Sequence, residues 1–372
     1  MRDPRDIATI ITDIPAHLGY YPSEDILCVR HDGTRTLGAA RIGIDALVSS
    51  DVEYAQLREW YECFTAASSG DQYYDPRWSL IAVTRLHPAT IGQFDYALRI
   101  LGDWLPEIPS PGYVPVVTPK IEDGAPVFLY DTQGRIPDTP IAHIPPIAAT
   151  ASFQNLMRNT GQLPMLTNEE LYAQCTNRDH GFDDADYALL VQDVTHHAAA
   201  EMIGSDKALA ATARGILTRS NAHTIDTHDV AILLEAIDDF PTRNALLETI
   251  CEREDDDTVT NTAACALSVL LRANSAVPEG MRYLQAHATA MLAVAALACN
   301  HHGLAGAAMN TAMKHSQHAQ RCDDDTHLNI TPYTDTDTEW IMRVHTAITY
   351  GDQRVTLRAL ADEGRRAFGV LS

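Results

Sequence analysis

Residues 26–44 read Ile-Leu-Cys-Val-Arg-His-Asp-Gly-Thr-Arg-Thr-Leu-Gly-Ala-Ala-Arg-Ile-Gly-Ile. Ile26 to His31 is apolar and β-prone. Asp32-Gly33 then supplies a pair that tolerates the positive φ of a hairpin turn. Thr36 to Ile44 returns as a second strand. Moving outward, Val52, Leu57, Trp60, Tyr61 and Phe64 recur at helical spacing. Trp78 to Thr84 is a nearly continuous apolar run, the pattern of a central strand covered on both faces. Ile91, Phe94, Leu98, Leu101 and Leu105 step by three and four and predict an amphipathic helix. Tyr113 to Thr118 and Pro126 to Tyr130 form a second strand pair around Glu122-Asp123-Gly124. The expected order is ββαβαββ, a mixed sheet with covering helices over residues 1–136.

Pro137, Pro140, Pro145 and Pro146 follow. Proline suits neither a helix interior nor a central strand, so residues 137–146 are expected to be an extended linker. From residue 147 to 372 the pattern predicts helices alone. Thr167 and Glu170 stand as a capping box at the head of one helix. Further helices are expected at Ala185 to Ile203, Lys207 to Arg219, His228 to Ile237, Arg243 to Glu252 and Val259 to Arg272. The last four are Gly280 to Asn300, Leu304 to Gln320, Glu339 to Tyr350 and Arg354 to Phe368. Short links imply antiparallel neighbours, in a helical bundle or repeat-like array. The fold class is thus mixed, an α/β or α+β front followed by an all-α back. Within the back half, Met281, Leu284, Met291, Leu292, Val294 and Leu297 cover more than one face of their helix, which predicts a central position.

Composition narrows the function classes. Of the 372 residues, 45% are hydrophobic and 21% charged, ordinary values for a folded chain, and the net charge is −23. Duplex DNA binding replaces counterions with Lys and Arg, and the densest basic run here is only Arg365-Arg366. Nucleic acid and anionic membranes are therefore not expected as partners, whereas cationic or neutral partners are not opposed. Seven cysteines, an odd number, lie at wide spacing without a C-x-x-C pair, which fits free thiols in a reducing cytoplasm. Met1 to Asp13 carries charges where a signal peptide needs an apolar core. No run approaches the ~18 apolar residues of a membrane helix.

Ile14-Pro15-Ala16-His17-Leu18-Gly19-Tyr20-Tyr21-Pro22-Ser23-Glu24-Asp25-Ile26-Leu27 resembles the opening of an uncharacterised actinobacterial group, domain-of-unknown-function family 4192. Arg41 and Asp45 resemble that family's Arg-to-Asp pair after the hairpin. Ala149 to Leu171 resembles its linker region, and Asp239-Phe240-Pro241-Thr242-Arg243-Asn244-Ala245 its Asp-to-Arg helix start. Asp25 departs from the pattern, standing where the family has Ser. The resemblance implies an actinobacterial source and one family covering both halves. It carries no activity and no catalytic residue.

The motifs of nucleotide binding, of the nucleophile elbow and of helical zinc proteases are absent. Two candidate sites remain. The first is a ligand loop of His17, Gly19, Tyr20, Asp25, Arg41 and Asp45, in which Gly19 lets the backbone approach a ligand. The competing and favoured reading is a structural turn, with Gly19 left-handed, Tyr20 packed and Pro22 opening an extended segment. The second arises because twelve of the sixteen histidines lie from His180 onward. Cys299 with His302 and His315 with His318 could hold zinc if they faced each other on antiparallel helices. The competing reading is surface histidines at helix ends, with His301 and His302 as imidazolium in a last turn, plus buried thiols. No cofactor is predicted on that reading. Asp337 and Glu339 are expected to cap the next helix. The leading functional expectation is a non-catalytic binding or scaffold protein that uses its helical half. The alternative is a small-molecule sensor or enzyme with a pocket between the front sheet and the linker.

Overall fold

In the computed structural model, residues 4–31, 36–43, 77–84, 115–130, 136, 138–160, 163–165, 167–219, 222–251, 261–322, 335–350 and 353–369 are described. The chain divides into two compact units, residues 1–168 and 169–372.

The front unit is built on strands β1 (Asp25–His31), β2 (Thr36–Gly43), β3 (Arg77–Val83), β4 (Val116–Thr118), β5 (Pro126–Leu129) and β6 (Ala142–His143). They form one six-stranded sheet in the order β2-β1-β3-β4-β5-β6. The hairpin pairs Leu27 with Arg41 and Cys28 with Ala40. β3 and β4 are parallel, and the other neighbours run antiparallel, so the sheet is mixed as expected. Ile26, Leu27, Val29, Leu80, Ile81 and Ala82 are all buried. Burial on both faces of β1 and β3 explains why their apolar runs are continuous rather than alternating. The helices expected near residues 52–64 and 91–105 lie outside the described residues.

Two α-helices and an edge strand of this unit were not foreseen. Helix α1 (Pro4–Leu18) precedes the sheet and buries Ala8, Ile10, Ile11, Ile14 and Leu18, an i, i+3, i+4 stripe. Pro15 near its end obscured the pattern, because a proline in the last turn reads as a break. The Thr36 hydroxyl donates to the Ile10 carbonyl at 3.2 Å and ties α1 to β2. The proline-rich stretch supplies β6, whose His143 and Ala142 pair with Pro126 and Val127. Pro140, Pro145 and Pro146 flank this edge strand, where a missing donor costs no ladder bond. Helix α2 (Ala151–Thr160) follows and packs on α1.

The rear unit contains no strand among its described residues. Its helices are α3 (Asn168–Thr176), α4 (Asp184–His196), α5 (Ala198–Ile203), α6 (Asp206–Leu217), α7 (Thr227–Asp238) and α8 (Phe240–Cys251). Then come α9 (Asn261–Ser275), α10 (Arg282–Ala298), α11 (His302–Cys322), α12 (Asp335–Tyr350) and α13 (Gln353–Gly369). The single helix expected over 185–203 is broken at His197, which is left-handed at φ 51°. Glu235 of α7 takes up the backbone N–H groups of Ala199 and Ala200 at 3.2 and 2.7 Å, so the new helix start is satisfied. Asp226 and Asp229 form a capping box on α7.

Helix α10 is the axis of this unit. Every residue from Leu284 to Ala298 is buried, the mark of a helix surrounded on all sides. It packs against α7, α8, α9, α11 and α12. The turn into α11 is made by Asn300 at φ 60°, with the His301 N–H bonded to the Ala296 carbonyl at 2.8 Å. Gly303 lies one residue inside α11 and makes no turn. His301 is 1% exposed and accepts from the Leu304 N–H through Nδ1 at 3.3 Å. Burial, then His302, pushes it down to about 4. It therefore caps α11 as a neutral acceptor and is not the last-turn imidazolium expected from sequence.

Candidate functional site

In the front unit the quoted opening closes into a compact turn. The Gly19 N–H bonds to the Pro15 carbonyl at 2.8 Å and ends α1, with Gly19 at φ 77°. The Met165 N–H then donates to the Gly19 carbonyl at 2.8 Å, and the Tyr21 N–H to the Met165 carbonyl at 2.9 Å. The next residues enter β1. Asp25 is 2% exposed, accepts from the Ser23 N–H at 3.2 Å and pairs with Arg41 at 3.1 Å. In the hairpin Asp25 faces Gly43, so Arg41 is its diagonal neighbour on the same face of the sheet. The Arg41 guanidinium lies 5.6 Å from the Tyr20 ring centroid. Tyr20, Asp25 and Arg41 are thus brought together. His17 stands in the last turn of α1, pushed down to about 4 by burial against a raising backbone bond at Thr36. Asp45 lies outside the described residues.

Glu24, beside this pair, is a non-glycine residue at φ 52°. The Thr84 hydroxyl donates to its Oε2 at 2.9 Å, and the Thr84 N–H reaches the Thr118 carbonyl at 3.0 Å. Thr84 and Thr118 stand at the carboxyl ends of the parallel pair β3 and β4, the end at which open α/β sheets place ligands. Left-handed strain at a bulky residue persists only where its surroundings over-determine it.

The rear unit holds a second polar cluster, charged and built around a fully buried arginine. It centres on Arg243, which is 0% exposed and belongs to the stretch Asp239 to Ala245. Asp239 starts α8 by accepting from the Thr242 N–H at 3.0 Å. That cap aims Arg243 inward. Its Nη1 donates to the Ile237 carbonyl at 3.0 Å, and its Nη2 to Asp337 Oδ1 at 2.9 Å. The guanidinium lies 4.5 Å from the Trp340 ring centroid and 5.5 Å from that of Phe240. Trp340 Nε1 donates to Asn244 at 2.9 Å. His287, from α10, comes within 3.5 Å of Asp337 and meets the Trp340 ring edge-on. Burial, then the Arg243 charge, holds His287 well below the ordinary histidine range, so it is neutral at pH 7. Burial raises the neighbouring Asp238 carboxyl against opposing pulls from His197 and Arg243.

The opposite face of α10 carries a network of neutral side chains, joined at its edge by Arg178. Asn274 donates to the Cys175 carbonyl at 2.8 Å and accepts from Gln285 and from Thr289, each at 2.8 Å. Gln285 also accepts from Arg178, which reaches the Val277 carbonyl at 3.1 Å.

The four metal candidates do not form one site. Cys299 and His302 flank the turn between α10 and α11, whereas His315 and His318 lie far along α11 itself. His302 and His315 are separated by about 20 Å of helix axis at ~1.5 Å per residue. A zinc site would need the two pairs on facing helices, but His302, His315 and His318 all ride on the same one. Cys299 is fully buried and His318 is exposed. His315 is pushed down to about 4, first by burial and then by the charge of Arg178. Among the described residues no group of three or more His, Cys, Asp or Glu could hold a metal ion. No helix among them is long and apolar enough to cross a membrane.

Sequence reasoning named none of Asp337, Trp340, His287 and Asn244 as site residues. Asp337 was expected as a helix cap and instead neutralises Arg243. Only the Asp239-to-Arg243 stretch pointed at this cluster, through its resemblance to a family motif. A comparison with family models assigns residues 8–317 to a domain of unknown function, DUF4192. The chain belongs to that family. The matched residues contain both motif regions, including Arg243, Asn244 and His287, while α12 and α13 lie beyond them. No curated protein and no solved structure matches the chain.

Proposed function

We propose that this chain is a non-catalytic binding or scaffold protein of the cytoplasm, and that its helical unit receives a protein partner. The observation that carries this reading is how the polar clusters of the two units are used. Asp25 closes on Arg41, Arg243 on Asp337 and Trp340, and Asn274 on Gln285 and Thr289. Each set joins secondary-structure elements to one another. The surface adds support, because Leu189 and Met202 are 56% and 72% exposed on α4 and α5 beside several carboxylates. The cytoplasmic assignment rests on Cys28, Cys175, Cys251, Cys265 and Cys299, all buried thiols outside any disulfide. Burial raises the Cys175 thiol to about 12, which leaves it an inert packing group. Nucleic acid is excluded from the proposal by the −23 charge.

A second reading, a small-molecule sensor or enzyme, is retained for the front unit because of one observation. Glu24 is held left-handed beside the carboxyl ends of β3 and β4, with Tyr20, Asp25 and Arg41 adjacent. Its pocket would lie between the sheet and residues 137–146. Cross-linking of cell-borne partners to the full chain separates the two readings. Cross-links concentrated in residues 169–372, with no melting shift from panels of metals, nucleotides and metabolites, are the expected result. A metabolite-induced shift abolished by Glu24→Ala overturns the leading reading in favour of the second.

A further inference from the structure

The Arg243 cluster has a socket and a plug. Arg243, Asn244 and His287 come from α8 and α10, inside the residues that match the family. Asp337 and Trp340 come from α12, outside them. The face that α12 presents to the unit is Asp337, Trp340, Ile341 and Val344, of which the last three are buried, while Met342 is 43% exposed. Anchors at i, i+3, i+4 and i+7 are the spacing by which a helix seats in a groove formed by other helices. The polar anchors set the register. The carboxylate of Asp337 reads the guanidinium, the Trp340 ring lies over it, and the indole N–H reads Asn244.

Polar anchors are a poor way to gain stability alone. A buried ion pair seldom outperforms apolar groups of the same volume, but it discriminates strongly among occupants. The resident fit is also incomplete. Arg243 Nε is buried and has no hydrogen-bond partner, because Asp337 meets Nη2 only. A carboxylate lying side-on to the guanidinium satisfies Nε and Nη2 together. The socket therefore keeps one guanidinium N–H that its resident carboxylate leaves unsatisfied.

We propose that the groove formed by α8 and α10 around Arg243, Asn244 and His287 is a docking site for a partner helix carrying a carboxylate one turn before an aromatic ring, and that α12 occupies it in cis. This rests on the reading of the helical unit as the binding unit, and it names the class of partner. Helix α12 must leave before a partner enters, so the contact is autoinhibitory. Its second tether is the ion pair of Arg343 with Glu363 of α13 at 2.8 Å.

The probe is a fluorescent peptide of residues 335–350, added to the full chain. In a chain carrying Asp337→Ala and Trp340→Ala together, the resident helix loses its anchors. The peptide is then expected to bind that chain at least tenfold more tightly than it binds the unaltered chain. A peptide that itself carries the two substitutions is expected to bind at least tenfold more weakly. Equal binding of the two peptides, or none by a folded variant, overturns the proposal. Should the variant fail to fold, hydrogen exchange of the unaltered chain decides. Excess peptide, marked by Met342→Leu so that its fragments separate by mass, is expected to speed exchange in the chain's own residues 335–350. Unchanged exchange overturns the proposal. Partner cross-links to residues 169–372 elsewhere than this groove leave the binding reading standing while this one falls.

Discussion

Among the described residues, one arginine of each unit's motif regions closes on an aspartate, Arg41 on Asp25 and Arg243 on Asp337, and the two pairs differ in almost everything except chemistry. Arg41 is 37% exposed and meets Asp25 across a hairpin at 3.1 Å. Arg243 is 0% exposed and meets Asp337 between two helices at 2.9 Å. Each guanidinium lies over an aromatic ring, Tyr20 in the first case and Trp340 in the second. Water solvates Arg41 whether or not its partner is present. Arg243 has no such fallback. Burial, rather than distance, sets what each pair contributes, because the uncompensated charge costs most where solvent cannot reach it.

The largest effect is therefore expected at Asp337. Asp337→Ala leaves the Arg243 charge buried without its carboxylate and is expected to cost about 3–5 kcal/mol of unfolding free energy. Chemical denaturation with two probes measures it. Pairing the change with Arg243→Met removes the orphaned charge, so the double variant is expected to be more stable than Asp337→Ala alone. A double variant as unstable as the sum of the two single changes breaks the argument that the charge is what matters.

The neutral network on the other face of α10 is the control for that claim. Asn274→Ala strips partners from Gln285, Thr289 and the Cys175 carbonyl without creating a net charge. Its expected cost is about 1–3 kcal/mol, the penalty of buried groups left unpaired. A loss larger than that of Asp337→Ala reverses the ranking of charge over hydrogen bonds inside this unit.

How much of this was legible in the sequence follows the same division. The strands at 25–31, 36–43 and 77–83 and the helices of the rear unit are written in hydrophobic periodicity, which local reading recovers. Helix α1 was hidden because Pro15 sits in its last turn. Tyr20, Asp25 and Arg41 were named together partly through the family resemblance, and they meet in space because all three lie within one hairpin and its lead-in turn. Arg243 and Asp337 are separated by 94 positions, and nothing in the pattern around Asp337 distinguishes an inward carboxylate from a helix cap. The four zinc candidates are spread apart for the converse reason. Their spacing was local, but the turn at Asn300 begins α11 so early that His302 joins His315 and His318 on one helix.

Acid should expose a further difference between buried and exposed groups. His301 titrates near 4 when folded, against an ordinary 6.5. Its neutral form contributes fully above pH 6.5, and that contribution is lost as pH falls from 6.5 toward 4, because the unfolded chain takes up the proton first. The loss approaches ~1.4 kcal/mol for each pH unit in that window. His301→Asn keeps an acceptor for the Leu304 N–H and removes the titration. The variant is expected to lose about one proton of slope between pH 6.5 and 4 in a series of denaturation curves. An unchanged slope shows that His301 is protonated in the folded protein.

The smallest effect is expected at Arg41. Solvent screens the pair on the arginine side and Asp25 keeps the Ser23 N–H, so the loss is expected to exceed the ~0–1 kcal/mol of a fully exposed pair only modestly. Arg41→Ala should therefore move the denaturation midpoint slightly, and added salt should shrink the difference between variant and parent. Asp25 is the asymmetric partner: at 2% exposure its carboxylate keeps the Ser23 N–H but loses its cation. Arg41→Lys retains the charge and forfeits the planar stacking over Tyr20, so it separates charge from stacking. If Arg41→Ala costs as much as Asp337→Ala, the front pair is desolvated in solution. The contrast between the two units then rests on something other than burial.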